Sequence, residues 1–167
     1  KHDNAYSPRY RGYTYLSSVA ELEPNDPEEA QALSLIRDWD LHTDTANRNA
    51  ALGVCILLEE WQAERTGSAL PDARETLHTC MESVRDVAGQ LNPEWGAVQQ
   101  HGRGQRTWPA AGGPDTLRAM YAEQLEDEDD FLTVVAGDGL YYLIEWNAKG
   151  KQTIRGTHQY GSQMTEE

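Results

Sequence analysis

Between Ala51 and Leu58, inside AALGVCILLEEW, eight consecutive residues carry no polar side chain. A run this short falls far below the roughly 18 apolar residues that signal a membrane span, and no run in the chain approaches that length. It is too continuous for an ordinary amphipathic helix. The run therefore predicts a helix covered on most sides, at the centre of the fold.

The flanking segments supply what would cover it. In NDPEEAQALSLIRDW, Asp26 is placed as N-cap, Pro27 at the first helical position and Glu29 for a capping box. Leu33, Ile36 and Trp39 then recur at helical spacing. After the apolar helix, Gly67 is a plausible stop, and Pro71-Asp72 opens a third helix. Its Leu77, Cys80, Met81, Val84, Ala88 and Leu91 form one apolar stripe, so the two later helices should make an antiparallel hairpin. Residues 1 to 25, with YSPRYRGYTYLSS, read as a short helix or an irregular wrap.

Cys55 and Cys80 fall nearly level on that hairpin at the usual rise of about 1.5 Å per residue. Two small buried thiols are the blander reading. A Cys55–Cys80 disulfide is the alternative if the protein is exported.

Beyond LNPEWG the texture becomes glycine-rich, QQHGRGQRTWPAAGGPD, followed by a predicted short helix, DTLRAMYAEQL. LTVVAGDGLYYLIEWNAKGKQTIRGTHQYGS alternates β-branched and aromatic residues around GDG and NAKGK, and reads as about three antiparallel strands. The expectation is an α+β chain and a single domain over 1–167, as its length suits. Its parts are helices over 1–92, a glycine-rich connection with a short helix over 93–130, and antiparallel strands over 131–162.

Charge removes one class of partner. A net charge of −14 with only three lysines, Lys1, Lys149 and Lys151, is the opposite of what phosphate-backbone binding requires. No nucleic-acid partner is expected, and no membrane span.

Local motifs argue against a self-contained active site. His2, His42, His78, His101 and His158 are scattered and the cysteines are 25 positions apart, unlike the short ligand spacing of a zinc site. Residues 123–130, EQLEDEDD, lack the glycine and alternating ligands of a calcium loop and read as a solvated turn between helix and strand. GRG and GGPDT match no phosphate loop, so their glycines are assigned to turns and Pro114 or Asp115 to a helix start. Ser162 and His158 would share a strand face about 13 Å apart, too far for direct contact. No cofactor or metal is expected.

RDWDLHTDTANRNAALG, residues 37–53, is the stretch richest in catalytic residue types. Trp39 closes one helix, Asp44 or Thr43 can cap the next, and Arg48 lies four residues after Asp44, a spacing that suits an ion pair. Trp39, Asp40, Asp44, Asn47 and Arg48 are thus assigned to a structural junction, with no catalytic residue among them.

HDNAYS, RDWDLHTDTANRNAALG, LNPEWGAV, GGPDTLRAMY, AGDGLYYLIEW and THQYGSQ together resemble, in order and rough spacing, the later part of the β chain in the penicillin acylase (penicillin amidase) family of N-terminal nucleophile hydrolases. The resemblance covers nearly the whole chain. It implies a parent protein that hydrolyses acyl amides, with an exposed Ser as nucleophile, its own α-amino group as base, and backbone and Asn donors for the oxyanion. The family's nucleophile, oxyanion Asn and nearby Arg lie upstream of the part that HDNAYS resembles, so no position here inherits those roles.

The resemblance thus implies a non-catalytic segment that supports the catalytic core and acyl pocket, with the nucleophile-bearing β-chain core and the α chain as partners. Acyl-amide substrate would bind only in the assembled enzyme, and the location implied is periplasmic or secreted. The acyl group, aromatic, β-lactam-antibiotic-linked or the long chain of a homoserine lactone, is not specified by these residues. EDEDD departs from the family's Asp-Gly turn, and MTEE from its Ser-Pro-His/Tyr-Tyr continuation. Both ends are expected to be truncations, or marks of the alternative, a stand-alone acidic protein-interaction domain derived from an acylase and without catalysis.

Overall fold

The computed structural model describes residues 4–103, 106–125, 130–137 and 141–157. Among the described residues the fold is α+β, with five helices preceding all six strands. The order is α1 (Tyr13–Ala20), α2 (Pro27–Arg37), α3 (Ala50–Thr66), α4 (Ala73–Ala88), α5 (Trp95–Val98), β1 (Gln99–Arg103), β2 (Arg106–Pro109), β3 (Met120–Glu123), β4 (Leu132–Gly137), β5 (Tyr141–Trp146) and β6 (Gln152–Thr157).

The apolar run lies at the centre. Ala51, Leu52, Gly53, Val54, Ile56 and Leu57 of α3 are buried together with Leu33 and Ile36 of α2, Leu16 and Val19 of α1, and Leu77 and Val84 of α4. Each fully buried Leu or Ile stabilises by roughly 1.5–3 kcal/mol relative to exposure. A glycine sits inside this helix because of what lies on it. A Cβ at Gly53 would stand 2.1 Å from the Trp39 ring, so the close approach of the indole to α3 requires the missing side chain. Gly67, in the left-handed region at φ 68°, ends α3, and residues 67–72 turn the chain back into α4.

Helix starts follow the expected chemistry in two cases. The Asp26 side chain accepts from the Glu28 and Glu29 N–H groups, with Pro27 at the first position, and that of Asp72 accepts from Arg74 and Glu75. Such caps contribute about 1 kcal/mol each. Cys55 and Cys80 form a disulfide, with Cα atoms 5.7 Å apart, so the hairpin is covalently closed rather than lined by free thiols. No helix among the described residues is long and apolar enough to cross a membrane.

The strands are more numerous and differently paired than expected. Four of them form a mixed sheet in the order β2-β1-β4-β3, in which β1 and β4 are parallel and the other pairs antiparallel. The other two, β5 and β6, form a separate antiparallel pair with Ile144 opposite Ile154. β4 does not continue into a meander with β5, because β1 and β3 already occupy both of its edges.

DTLRAMYAEQL is not a helix. Thr116 Oγ1 donates to the Arg118 carbonyl and accepts from the Gly113 N–H, and the Met120 N–H returns to the Gly113 carbonyl. These bonds close residues 113–119 into a turn and deliver Met120, 1% exposed, to the interior as the start of β3. Pro114 and Asp115 therefore lie in a turn rather than at a helix start. At NAKGK, between β5 and β6, Asn147 Oδ1 accepts from Lys149 N and Lys151 N. Asp138 and Gly139 of the GDG connection and the EDED of residues 126–129 lie outside the described residues, as do His158 and Ser162.

Candidate functional site

The junction segment is where chain-distant parts meet. Trp39 is buried, its indole N–H donates to the His42 carbonyl (2.8 Å), and its ring meets that of Tyr6 edge-on at 5.7 Å. Asp40 Oδ1 accepts from the His42 N–H (3.0 Å) and from Asn47 Nδ2 (2.9 Å). Asn47 Oδ1 in turn accepts from the Asn49 N–H at 2.9 Å. Asp40 and Asn47 thereby fold the turn on itself.

Two expectations for this segment need correction. Asp44 and Thr43 do not cap α3, which begins at Ala50 after Asn49 with no side-chain cap. Asp44 Oδ1 instead accepts from Asn4 Nδ2 (2.7 Å), and Thr43 Oγ1 donates to the Asn4 carbonyl (2.6 Å). Arg48 does not pair with Asp44 either; it reaches Glu94 at 2.8 Å. The physical reason is that residues 40–49 are not helical, so the four-residue spacing does not align them on one face. Backbone bonds from Trp95 N to the Asn47 carbonyl, Gly96 N to Thr45 and Gly112 N to Thr43 complete a hub that holds the amino-terminal segment, α5 and the glycine-rich connection.

Asp40 and Asn47 each accept from a backbone N–H, and Asp40 and Asp44 also accept from the side-chain amides of Asn47 and Asn4. His42 Nδ1 lies 3.8 Å from Asp44 Oδ2, but the adjacent hydroxyl, Thr43 Oγ1, is buried and donates to a carbonyl. The pairing of base and activated nucleophile that covalent catalysis needs is not assembled there. Among the described residues, no group of three or more His, Cys, Asp or Glu side chains is placed to hold a metal ion.

Two polar clusters have no local sequence signature. Glu29, with its side chain 2% exposed, joins α2 to α4. Its oxygens meet Arg74 Nη1 (2.6 Å), His78 Nε2 (2.6 Å) and the Asn25 N–H (2.7 Å). The Asn25 N–H, then His78 and Arg74, hold the carboxyl at about 2, below its ordinary 4.5, against the opposing effect of burial. The capping-box position foretold a bond back to the helix start, but Arg74 and His78 lie more than 40 positions away.

In the second cluster, Asp115 receives hydrogen bonds from Tyr10 Oη (3.3 Å), Arg11 Nη2 (3.0 Å) and Tyr121 Oη (3.1 Å). Arg11 also reaches Glu64 of α3 at 2.5 Å. Burial raises the Tyr10 phenol above its ordinary value, and Asp115 and Glu60 raise it further.

Two apolar features remain. A groove of about 710 Å³ runs between the α3–α4 hairpin and the mixed sheet, lined by Val54, Trp61, Val87, Met120, Leu132 and Val135 among others. At one wall the Trp61 and Tyr121 rings lie 5.1 Å apart, and the Arg65 guanidinium stands 5.0 Å over Trp61. The other feature is one face of the β5–β6 pair. Tyr142, Ile144 and Trp146 alternate along β5, and Ile154 opposes Ile144. All four are exposed, Trp146 by 64% and Tyr142 by 62%.

No family model matches the chain, and no curated protein matches it.

Proposed function

We propose that this chain is a non-catalytic segment of a penicillin-acylase-type amidohydrolase, one that packs against the nucleophile-bearing core and supports its acyl pocket. The reading originates in the six motifs that resemble the later β chain of that family. The structural observation that favours it is the uncovered apolar face of β5–β6. A two-stranded pair is marginally stable in water by itself, and a contiguous exposed apolar patch marks a place where other protein binds. Tyr142, Ile144, Trp146 and Ile154 on one face therefore suit a pair of strands that belongs to a larger sheet or layer.

The junction chemistry agrees with a supporting role. Asp40, Asp44, Asn47 and Arg48 each bond to groups that place backbone or bridge elements. The disulfide fits an oxidising compartment, in keeping with the periplasmic or secreted location proposed with the family. Acyl amides would be hydrolysed only after assembly with the nucleophile-bearing core and the α chain.

The test is reconstitution. The chain is expressed alone and together with the segment encoded directly upstream of it, and hydrolysis of a panel of aromatic and long-chain acyl amides is measured. The chain alone should be inactive, and the two should co-purify and hydrolyse at least one amide. A natural start codon near Lys1, with no upstream segment that binds, would instead favour the stand-alone interaction domain.

A further inference from the structure

Glu60 is an anomaly in the core. It lies on α3, is 8% exposed, and its Oε2 receives no hydrogen bond among the described residues. Buried polar atoms are ordinarily paired, and an ionised carboxylate without a partner is especially costly. The carboxyl is pressed against the amino-terminal segment: a Cβ at Gly12 would stand 2.7 Å from Glu60 Oε2 and 3.1 Å from a Leu57 methyl.

The charged and titratable groups facing it are Tyr10 and Arg11 from that segment, Glu64 one turn further along α3, and Asp115 from the turn before β3. Arg11 is the one cation among these, and it is already engaged by Glu64 and Asp115. With Glu60 ionised, three carboxylates would surround one guanidinium.

We propose that Glu60 is a proton-operated latch. As a neutral acid it seats the Tyr10–Gly12 segment on α3; on ionisation it adds a third negative charge beside Glu64 and Asp115 and loosens the clasp that Arg11 makes between α3 and the 113–118 turn. That turn carries Pro114, and Asp115 holds Tyr121; both Pro114 and Tyr121 line the apolar groove. Loosening the clasp therefore opens the rim of the groove. Burial raises the Glu60 carboxyl above its ordinary 4.5, Arg11 opposes this, and Glu64 and Asp115 raise it further. The inference stands on this geometry and does not depend on the acylase reading.

For a carboxyl raised in the folded state, stability is fully present below the unfolded value and is lost as pH rises through the folded one. Each pH unit between the two lowers the folding equilibrium by up to about tenfold.

Denaturant unfolding of the 167-residue chain between pH 4 and pH 8, with hydrogen exchange read segment by segment, tests the latch. The wild type should lose stability relative to Glu60→Gln as pH rises above 4.5. Amides of residues 113–118 should lose protection over the same interval, after correction for intrinsic exchange, while those of α4 keep theirs. Asp115→Asn, which removes one of the charges that raise the Glu60 carboxyl, should move the wild-type decline to lower pH. Identical pH profiles for wild type and Glu60→Gln, or a decline without loss of protection at 113–118, would overturn the proposal. Should Glu60→Gln fail to fold, an unmoved decline in Asp115→Asn overturns it on its own.

Discussion

Single residues in this chain act by joining segments far apart in sequence. The Glu29 carboxyl is held at about 2 against an ordinary 4.5, first by the Asn25 N–H and then by His78 and Arg74. Because the folded value is the lower one, the stabilisation is complete above pH 4.5 and disappears as pH falls through about 2. Thermal melts of wild type and Glu29→Gln should therefore differ most near neutrality and converge across that acid interval. A constant difference would assign the effect to packing rather than charge.

Gly53 offers a second residue-scale test. A methyl there would meet the Trp39 ring at 2.1 Å, and neither α3 nor a buried indole can give way cheaply. Gly53→Ala should cost roughly 1–3 kcal/mol by overpacking, despite the better helix propensity of alanine, which favours it by about 1 kcal/mol in an exposed helix. Urea unfolding reads the sign directly.

At the scale of elements, the α3–α4 hairpin is the rigid part. Its disulfide spans 25 positions, and closing a loop of that size is expected to contribute roughly 3 kcal/mol. Cys55→Ala/Cys80→Ala should lose about that amount in denaturant unfolding, and the wild type under reducing conditions should match the double variant. The β5–β6 pair is the opposite case. Trp146→Ser with Ile154→Thr should leave the denaturant unfolding of the helical core unchanged, since the replaced side chains are exposed rather than packed, and should weaken co-purification with the proposed upstream core.

The helices were legible in the sequence because their signals are local. Asp26 with Pro27, the apolar run Ala51–Leu58 with the helix stop at Gly67, and Asp72 with the stripe from Leu77 each act within a few turns. In DTLRAMYAEQL, residues 115–125, local helical propensity is overridden by the Thr116 bonds and by pairing of β3 with β4. In QQHGRGQRTWP, glycine and charged residues mask the alternation of β1 and β2, and the second neighbour of β1, β4, lies some 30 positions later in the chain. In the junction, Asn4 and Glu94, the partners of Asp44 and Arg48, lie 40 or more positions away and have no signal in local spacing. The Glu29 and Glu60 clusters draw on residues equally distant in sequence.

At the scale of the whole molecule, a covalently closed helical core carries a mixed sheet, an apolar groove between them and a strand pair whose apolar face is uncovered. A chain of net charge −14 would be expected to keep its surface polar. Four large apolar side chains nevertheless share one exposed face of β5–β6, and the proposed assembly with an acylase core gives that face a cover. Hydrogen exchange at the β5–β6 amides, measured for the chain alone and in complex with the upstream segment, tests this most directly. The account predicts rapid exchange in the isolated chain and strong protection in the complex; β5–β6 amides already as protected in the isolated chain as those of α3, or unprotected in both, would contradict it.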